Sequence, residues 1–153
     1  MRILLLIALI ALPAAGQFRS VSLSFTGVGC ASCTESMGER VRRLRGVEDA
    51  KVDAEKRLLV VRLAEQNRVR IEQIRDFVEQ DGTKATRATV RVTGDLAEES
   101  GRWLLRPSGA SWSYAIKGAN LAAGRYAITG EIREMHAASG VIEISATNLE
   151  KAP

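Results

Sequence analysis

The stretch that decides the fold is Val21–Gly46, which reads VSLSFTGVGCASCTESMGERVRRLRG. Its first residues alternate between apolar and hydroxyl side chains, the period-two pattern of a strand with one buried face. A helix is predicted to follow from about Cys33, because Met37, Val41 and Leu44 recur at spacings of four and three. Gly46 then ends it, as a glycine at a helix C-terminus would. The stretch therefore predicts a strand, a short loop and an amphipathic helix.

Both cysteines of the chain fall in the loop segment Gly27–Cys33, which reads GVGCASC. Cys30 is predicted on the loop and Cys33 in the opening turn of the helix, where the backbone amides and the helix dipole stabilise thiolates. Two intervening residues let both sulfurs converge on one point. Thiolates select soft ions, and two of them satisfy Cu(I), whereas structural Zn(II) normally takes four ligands. The sequence therefore predicts a soft-metal site at Cys30 and Cys33.

Two alternatives compete with the metal site. Two cysteines cannot build a disulfide framework, but in an oxidising compartment Cys30 and Cys33 can form one local disulfide without function. A CxxC at a helix start also occurs in thiol-disulfide oxidoreductases, although Ala31-Ser32 lacks an aromatic or proline context. Because Cys33 shares the helical stripe with Met37, we expect Cys33 to be half-buried and Cys30 to be the more exposed entry ligand.

The chain up to residue 92 follows one simple order of elements. Two extended runs, Val47–Asp53 and Arg57–Leu63, predict a hairpin with a turn between them. A second helix is predicted from about Val69 to Gln80, closed by Asp81 and Gly82, and a last strand over Thr83–Val92. Strand, helix, strand, strand, helix, strand is the βαββαβ order of a ferredoxin-like α+β domain.

Four landmarks of this segment carry a family resemblance: Gly27–Cys33, Leu44–Val47, Val52–Asp53 and Phe77–Gly82. Together they look like the heavy-metal-associated domain family, which includes copper chaperones, modules of copper-transporting ATPases and periplasmic mercury-binding proteins. The resemblance covers about residues 19 to 90. It implies a ferredoxin-like fold in which Cys30 and Cys33 hold Cu(I), or another thiophilic ion such as Hg(II), and pass it to a metal-exchanging protein partner by ligand exchange.

The chain departs from the family pattern at two places. The family usually has Met and often Thr before the first cysteine, where this chain has Val28 and Gly29. Beyond the second helix it commonly places an aromatic residue or a lysine against the metal loop, where this chain has Thr83 and Lys84. Lys84 can offset the negative charge of a bis-thiolate site, although a lysine on a strand edge is more often simply solvated.

The first sixteen residues predict a cleavable signal peptide. Arg2 is followed by the apolar run Ile3–Leu12 and by the small residues of Pro13–Gly16, with cleavage predicted after Gly16. The apolar run is shorter than the ~20 residues that a membrane-spanning helix needs. We therefore expect a periplasmic or secreted protein with no membrane span in the mature chain.

From about Gly94 onward, short extended runs alternate with turns and the helical period disappears. This pattern predicts a small all-β domain over 93–153, an OB-like barrel or a sandwich. The domain plan is thus a signal peptide over 1–16, a heavy-metal-associated domain over 17–92 and a small β domain over 93–153.

Met135 and His136 are weaker candidates for extra metal ligands, because a lone histidine is more often a surface turn residue. The aromatic residues Trp103, Trp112, Tyr114 and Tyr126 are expected to pack in the core or at sheet edges.

Charge and motifs narrow the function further. The net charge is +4, but positions 30 to 80 hold eleven Lys or Arg against ten Asp or Glu. Because the basic residues are not clustered on one element or interleaved with aromatic ones, we expect no nucleic-acid binding. No catalytic triad, paired carboxylates or phosphate loop is present, so we expect no enzyme.

The leading hypothesis is an exported protein that holds a soft ion for transfer, buffering or sensing. The alternatives are a non-catalytic interaction module with an oxidised, inert CxxC and, third, a thiol-disulfide oxidoreductase.

Overall fold

The computed structural model describes residues 17–27 and 30–153. In chain order the elements are β1 (Phe18–Thr26), α1 (Ala31–Arg42), β2 (Val47–Asp53), β3 (Leu58–Leu63), α2 (Ile71–Val78), a 3₁₀ turn (Glu79–Asp81), β4 (Lys84–Glu99), β5 (Arg102–Arg106), β6 (Tyr114–Lys117), β7 (Gly124–Ile132) and β8 (Glu143–Lys151). The predicted signal peptide over 1–16, Val28 and Gly29 lie outside the described residues.

The amino-terminal half is a four-stranded antiparallel sheet in the order β2, β3, β1, β4. On β1 the side chains of Val21, Leu23 and Phe25 are buried, while the serines between them face the other side of the sheet. Each such side chain contributes ~1.5–3 kcal/mol when it is fully buried. The ferredoxin-like order predicted for this segment is confirmed.

The two helices begin and end for local reasons. Helix α1 starts at Ala31, two residues earlier than predicted, because the Cys30 sulfur accepts a hydrogen bond from the Cys33 amide and caps the helix. It ends at Arg42, so Gly46 does not terminate it directly. Gly46 instead has a φ of 104° in the turn before β2. Helix α2 is shorter than predicted, and the 3₁₀ turn that follows it is closed by Gly82 in the left-handed conformation.

Strand β4 is sixteen residues long and belongs to both halves of the molecule. It pairs with β1 over its first part, with β7 over residues 88–96 and with β5 over residues 95–99. A Cβ on Gly94 would lie 2.6 Å from the carbonyl oxygen of Arg106, so only glycine allows this close approach. The domain boundary predicted between residues 92 and 93 lies inside β4.

The carboxyl-terminal half is rich in strands, and these extend the sheet of the amino-terminal half. Beyond β4 the pairing runs β5, β6, β8 and β7 and returns to β4, which closes a ring of five strands. Only the contact between β6 and β8 is parallel. The side of β4 that faces the helices also carries the ring's buried residues, among them Val90, Val92 and Leu96, so both halves share one hydrophobic core.

Contacts with α2 join the halves. The ring of Tyr114 stands edge-on to Phe18 at 5.2 Å, and its hydroxyl accepts a hydrogen bond from the Ile71 amide at 3.4 Å. In the middle of α2, Arg75 donates to the Met135 carbonyl oxygen at 2.8 Å. The carboxyl-terminal half therefore contacts α2 at its start and at its middle. Within the described part of the chain, the helices are too short or too polar to cross a bilayer.

Candidate metal centre

The two cysteines lie where the sequence predicts them, at the junction of β1 and α1. Cys30 is exposed and Cys33 is half-buried, which confirms the difference expected from the helical stripe. The Cys33 amide donates to the Cys30 sulfur at 3.2 Å, and the Ser32 hydroxyl lies 3.3 Å from the same sulfur. Two polar groups thus already surround the more exposed sulfur.

The structure joins Cys30 and Cys33 in a disulfide, with their Cα atoms 5.3 Å apart. Both side chains therefore reach one common point in front of α1. An oxidised pair cannot act as two thiolate ligands, because only the thiolate binds metal. The structure thus shows the oxidised form of the candidate centre, which is the state that the runner-up hypothesis assumes.

The local electrostatics suit a pair of thiolates once the disulfide is open. The first turn of α1 contains no acidic residue, so the partial positive charge at the helix N-terminus is not offset there. Thr34, in the same turn, is buried and donates its hydroxyl to the Ala31 carbonyl oxygen at 2.6 Å. This side chain ties the first turn together beneath the cysteines.

The segment after the second helix packs against the start of the metal loop. Gly27 has a φ of 90°, and a Cβ there would lie 3.3 Å from the Gly82 carbonyl oxygen. Thr83 is buried, whereas Lys84 stands opposite Thr26 in the β1–β4 ladder. The side chain of Lys84 is exposed and has no hydrogen bond or ion pair with the residues that the structure describes. Lys84 is thus available as the charge partner that the sequence suggests for a bis-thiolate site.

The weaker candidates, Met135 and His136, have other uses in the structure. Met135 is buried, and the exposed His136 lies 2.9 Å from a carboxylate oxygen of Glu79. The same Glu79 oxygen accepts a hydrogen bond from the Ala85 amide at 3.0 Å. Among residues 17–27 and 30–153, no group of three or more His, Cys, Asp or Glu is placed to hold a metal ion.

Sequence reasoning missed the side chains that fix the surroundings of this centre. Glu79 links the 3₁₀ turn to β4 and to His136, and Tyr114 links β6 to the start of α2. Except for the local contact of Glu79 with Ala85, these contacts join residues that are 42 to 57 positions distant in the sequence. No local pattern signals them. The aromatic residues do pack as expected, since Tyr114 and Tyr126 are buried and both tryptophans pack against the core.

A CxxC between the first strand and the first helix of a ferredoxin-like domain defines a class of metal-associated domains. Residues 23–84 match the model of the heavy-metal-associated domain family. This part of the chain is therefore a heavy-metal-associated domain, as its resemblance over residues 19 to 90 predicts. The match covers less than half of the 153 residues.

Three solved structures are similar to part of the chain. A CopZ metallochaperone is 23% identical and has a TM-score of 0.40, over 43% of this chain and 97% of that one. A copper binding domain from HMA7, a P-type ATPase, is 26% identical with a TM-score of 0.40, over 47% and 92%. The yeast copper transporter domain CCC2A is 25% identical with a TM-score of 0.39, over 44% and 90%. Because all three TM-scores are below 0.5, these structures are similar to the chain and no role is inferred from them. No curated protein matches the chain significantly.

Proposed function

We propose that the protein carries a thiophilic metal ion, Cu(I) in the first place, between the sulfurs of Cys30 and Cys33. The observation that carries this proposal is the convergence of both sulfurs on one point at the N-terminus of α1, within a heavy-metal-associated domain. Two sulfurs, with no cluster of further metal ligands among the described residues, suit the near-linear coordination of Cu(I) better than the four ligands of structural Zn(II). Hg(II) has the same preference for sulfur and stays an alternative cargo.

Loading requires reduction of the disulfide first. A dithiol reductant exchanges with the Cys30–Cys33 bond, is itself oxidised to a disulfide, and leaves two protein thiols. Binding of Cu(I) then releases both thiol protons to solvent and leaves a bis-thiolate complex with one negative charge. The Cys33 amide, the Ser32 hydroxyl and the helix N-terminus are placed to stabilise that charge.

A titration with Cu(I) of protein that has been reduced beforehand, freed of thiol reductant and kept under anaerobic conditions, in the presence of a competing chelator, tests the proposal. We expect the parent protein to bind one equivalent and Cys30→Ser/Cys33→Ser to lose this competition completely. Ser36→Ala, an exposed change on the same helix, is the matched control and is expected to bind like the parent. Equal affinity of the double cysteine variant and the parent would refute the metal centre. Parallel titrations with Hg(II) and Zn(II) identify the preferred ion.

The runner-up is a non-catalytic interaction module, and the observed disulfide is the observation that favours it. In that case the CxxC is oxidised and inert, and the fold is kept for contacts with a partner. Mass spectrometry on protein isolated from its native compartment separates the two functions. A permanent disulfide without bound metal supports the runner-up, and reduced cysteines with bound metal support the carrier. Reduction of insulin disulfides by the protein would instead support the third candidate, a thiol-disulfide oxidoreductase.

Three further features belong to the proposal. Export to the periplasm or beyond rests on the signal peptide predicted over residues 1–16, and cleavage after Gly16 is its measurable consequence. The OB-like identity of residues 93–153 is supported by the closed ring of five strands. The role of a carrier rather than an enzyme is supported by the heavy-metal-associated domain. A partner that exchanges the metal completes the function.

A further inference from the structure

A partner can approach the metal loop from three sides of the domain, and the structure distinguishes them. The side of α2 is covered by the carboxyl-terminal half, through the contact of Arg75 with the Met135 carbonyl oxygen and the pair of His136 with Glu79. Along the side of α1, Arg40 and Arg42 are paired within the chain, and the exposed side chains of Glu35 and Glu39 add negative charge. Arg40 lies 2.6 Å from a carboxylate oxygen of Asp81, and Arg42 donates to the Ala50 carbonyl oxygen at 2.8 Å.

The third side is the sheet face opposite the helices, and it contains a polar groove of about 930 Å³. We call it the serine groove, because Ser22 and Ser24 of β1 form its floor. Its other polar lining residues are Thr86, Arg87, Thr89, Glu131 and Arg133. The carboxyl-terminal half makes this groove, since Glu131 and Arg133, at the end of β7, form one of its walls.

The serine groove contains cationic side chains that are unpaired or only weakly paired within the described residues. Arg87 is exposed and forms no hydrogen bond or ion pair with the residues that the structure describes. Arg133 lies 3.6 Å from Glu131, and both side chains are more than half exposed, so this pair is loose and weak. Among the described residues, Glu131 is the single carboxylate that lines the groove. Two residues before Thr86 on β4, Lys84 is also exposed and unpaired among the described residues.

We infer that the serine groove binds an acidic, extended segment of the partner that exchanges the metal. Carboxylates of the segment pair with Arg87 and Arg133, and its backbone and side chains accept hydrogen bonds from the serine and threonine hydroxyls. Ser24 lies six positions before Cys30, at the end of β1 that leads into the metal loop. A segment held here therefore keeps the partner within reach of the cysteines. This inference rests on the proposed metal transfer.

The experiment uses a capped peptide of six glutamates and the isotope-labelled full-length protein at low ionic strength. We expect amide signals of Ser22, Ser24 and Thr89 to shift on titration, and the affinity to fall as salt is added. The variant Arg87→Gln/Arg133→Gln is expected to bind about fivefold more weakly, since each exposed pair is worth a few tenths to one kcal/mol. The matched control is Arg43→Gln/Arg45→Gln, which removes equal charge beyond the opposite end of α1 and is expected to change affinity less than twofold.

Several results would overturn the inference. Equal losses in both double variants would mean attraction by net charge alone, and shifts confined to α1 or the metal loop would place the segment elsewhere. Binding to anionic lipid vesicles but not to the peptide would assign the groove to a membrane, and concentration-dependent dimerisation lost in the groove variant would assign it to a second copy of the chain.

The two proposals can fail separately. Cys30→Ser/Cys33→Ser is expected to bind the peptide like the parent, and Arg87→Gln/Arg133→Gln is expected to bind Cu(I) like the parent. If the parent binds the peptide in the groove but fails to bind Cu(I), the metal function falls and the acidic partner is not a metal-exchanging one. If it binds Cu(I) but not the peptide, only the groove inference falls.

Discussion

The replacement Tyr114→Phe measures how strongly the two halves of the molecule depend on each other. The Tyr114 hydroxyl accepts from the Ile71 amide at 3.4 Å and donates to a carboxylate oxygen of Glu72 at 3.3 Å. Its ring packs edge-on against Phe18 and is fully buried. Phenylalanine keeps the ring contact and removes only the hydroxyl, so the change isolates the polar link between β6 and α2.

The expected cost follows from the geometry of these two hydrogen bonds. Both are longer than the preferred 2.7–3.0 Å, so we expect a loss of ~1 kcal/mol in the free energy of unfolding, at the low end for bonds to a charged group. For a chain of this size that loss lowers the melting temperature by ~2–4 °C. Tyr114→Ala, which also removes the buried ring, is expected to cost ~3–5 kcal/mol. Urea denaturation at neutral pH measures both losses.

The pH dependence of stability gives a sharper test, because the difference in stability between the parent and Tyr114→Phe changes sign at high pH. Burial, and next the charge of Glu72, raise the pKa of Tyr114 above its usual value. A group whose folded pKa is raised stabilises the fold fully below its unfolded pKa of ~10, and that contribution is lost as the pH rises further. Above this pH the parent therefore loses up to ~1.4 kcal/mol per pH unit relative to Tyr114→Phe.

We thus expect the parent to be more stable than Tyr114→Phe at pH 8 and less stable above a pH of about 11. Chemical denaturation of both proteins side by side over this range measures the difference. A difference that stays constant between these pH values would show that Tyr114 is not buried against Glu72 in solution. A loss of more than 3 kcal/mol for Tyr114→Phe at neutral pH would show that its hydrogen bonds are stronger than the distances allow.

Two further predictions concern positions where backbone groups meet closely. Asn67→Ala is expected to lower the free energy of unfolding by ~2–4 kcal/mol, because the buried amide serves two carbonyl oxygens and one N–H. The exposed Asn148→Ala is its control and should change stability by less than ~0.5 kcal/mol, and equal losses would contradict the reasoning. Gly94→Ala is expected to cost ~1–3 kcal/mol in the same assay, because the new methyl group overlaps the Arg106 carbonyl. A neutral result would mean that β4 and the residues after β5 lie further apart than the structure has them.

The sequence predicts those parts of the fold that local patterns determine. Alternation places β1, β2 and β3 to within one or two residues, and the helical stripe of α1 correctly predicts that Cys33 is more buried than Cys30. Both cysteines lie at the strand–helix junction, where their spacing places them. In each case the relevant neighbours lie within one element, so the pattern along the chain contains the information.

What the sequence does not reveal depends on distant partners or on the surroundings. The last residues of β4 include Gly94 and two glutamates, which favour a turn, while the absence of a Pro- or Ser-rich linker allows the strand to continue. Pairing with β5 and β7 decides for the strand. The bond between Cys30 and Cys33 depends on the redox potential of the compartment as well as on the residues, so the sequence favours a thiolate metal site and leaves the disulfide open as an alternative. The serine groove needs β7 beside β4, a contact between residues about forty positions apart.

The two halves share strand β4 and one hydrophobic core, so the carboxyl-terminal half is not a separate attachment to the metal-binding half. Cutting the chain after residue 92 would divide β4 and remove Ile128 and Ile132, which stand opposite Val92 and Ala88 in the ladder. These residues are buried, so the cut would expose apolar surface of the heavy-metal-associated domain itself. The same cut would remove the contacts of Ile71 and Arg75 in α2 and one wall of the serine groove. The carboxyl-terminal half is therefore part of the packed structure that holds the cysteines. Because it contacts α2 and lines the serine groove, it limits the surfaces through which a partner can reach the metal loop.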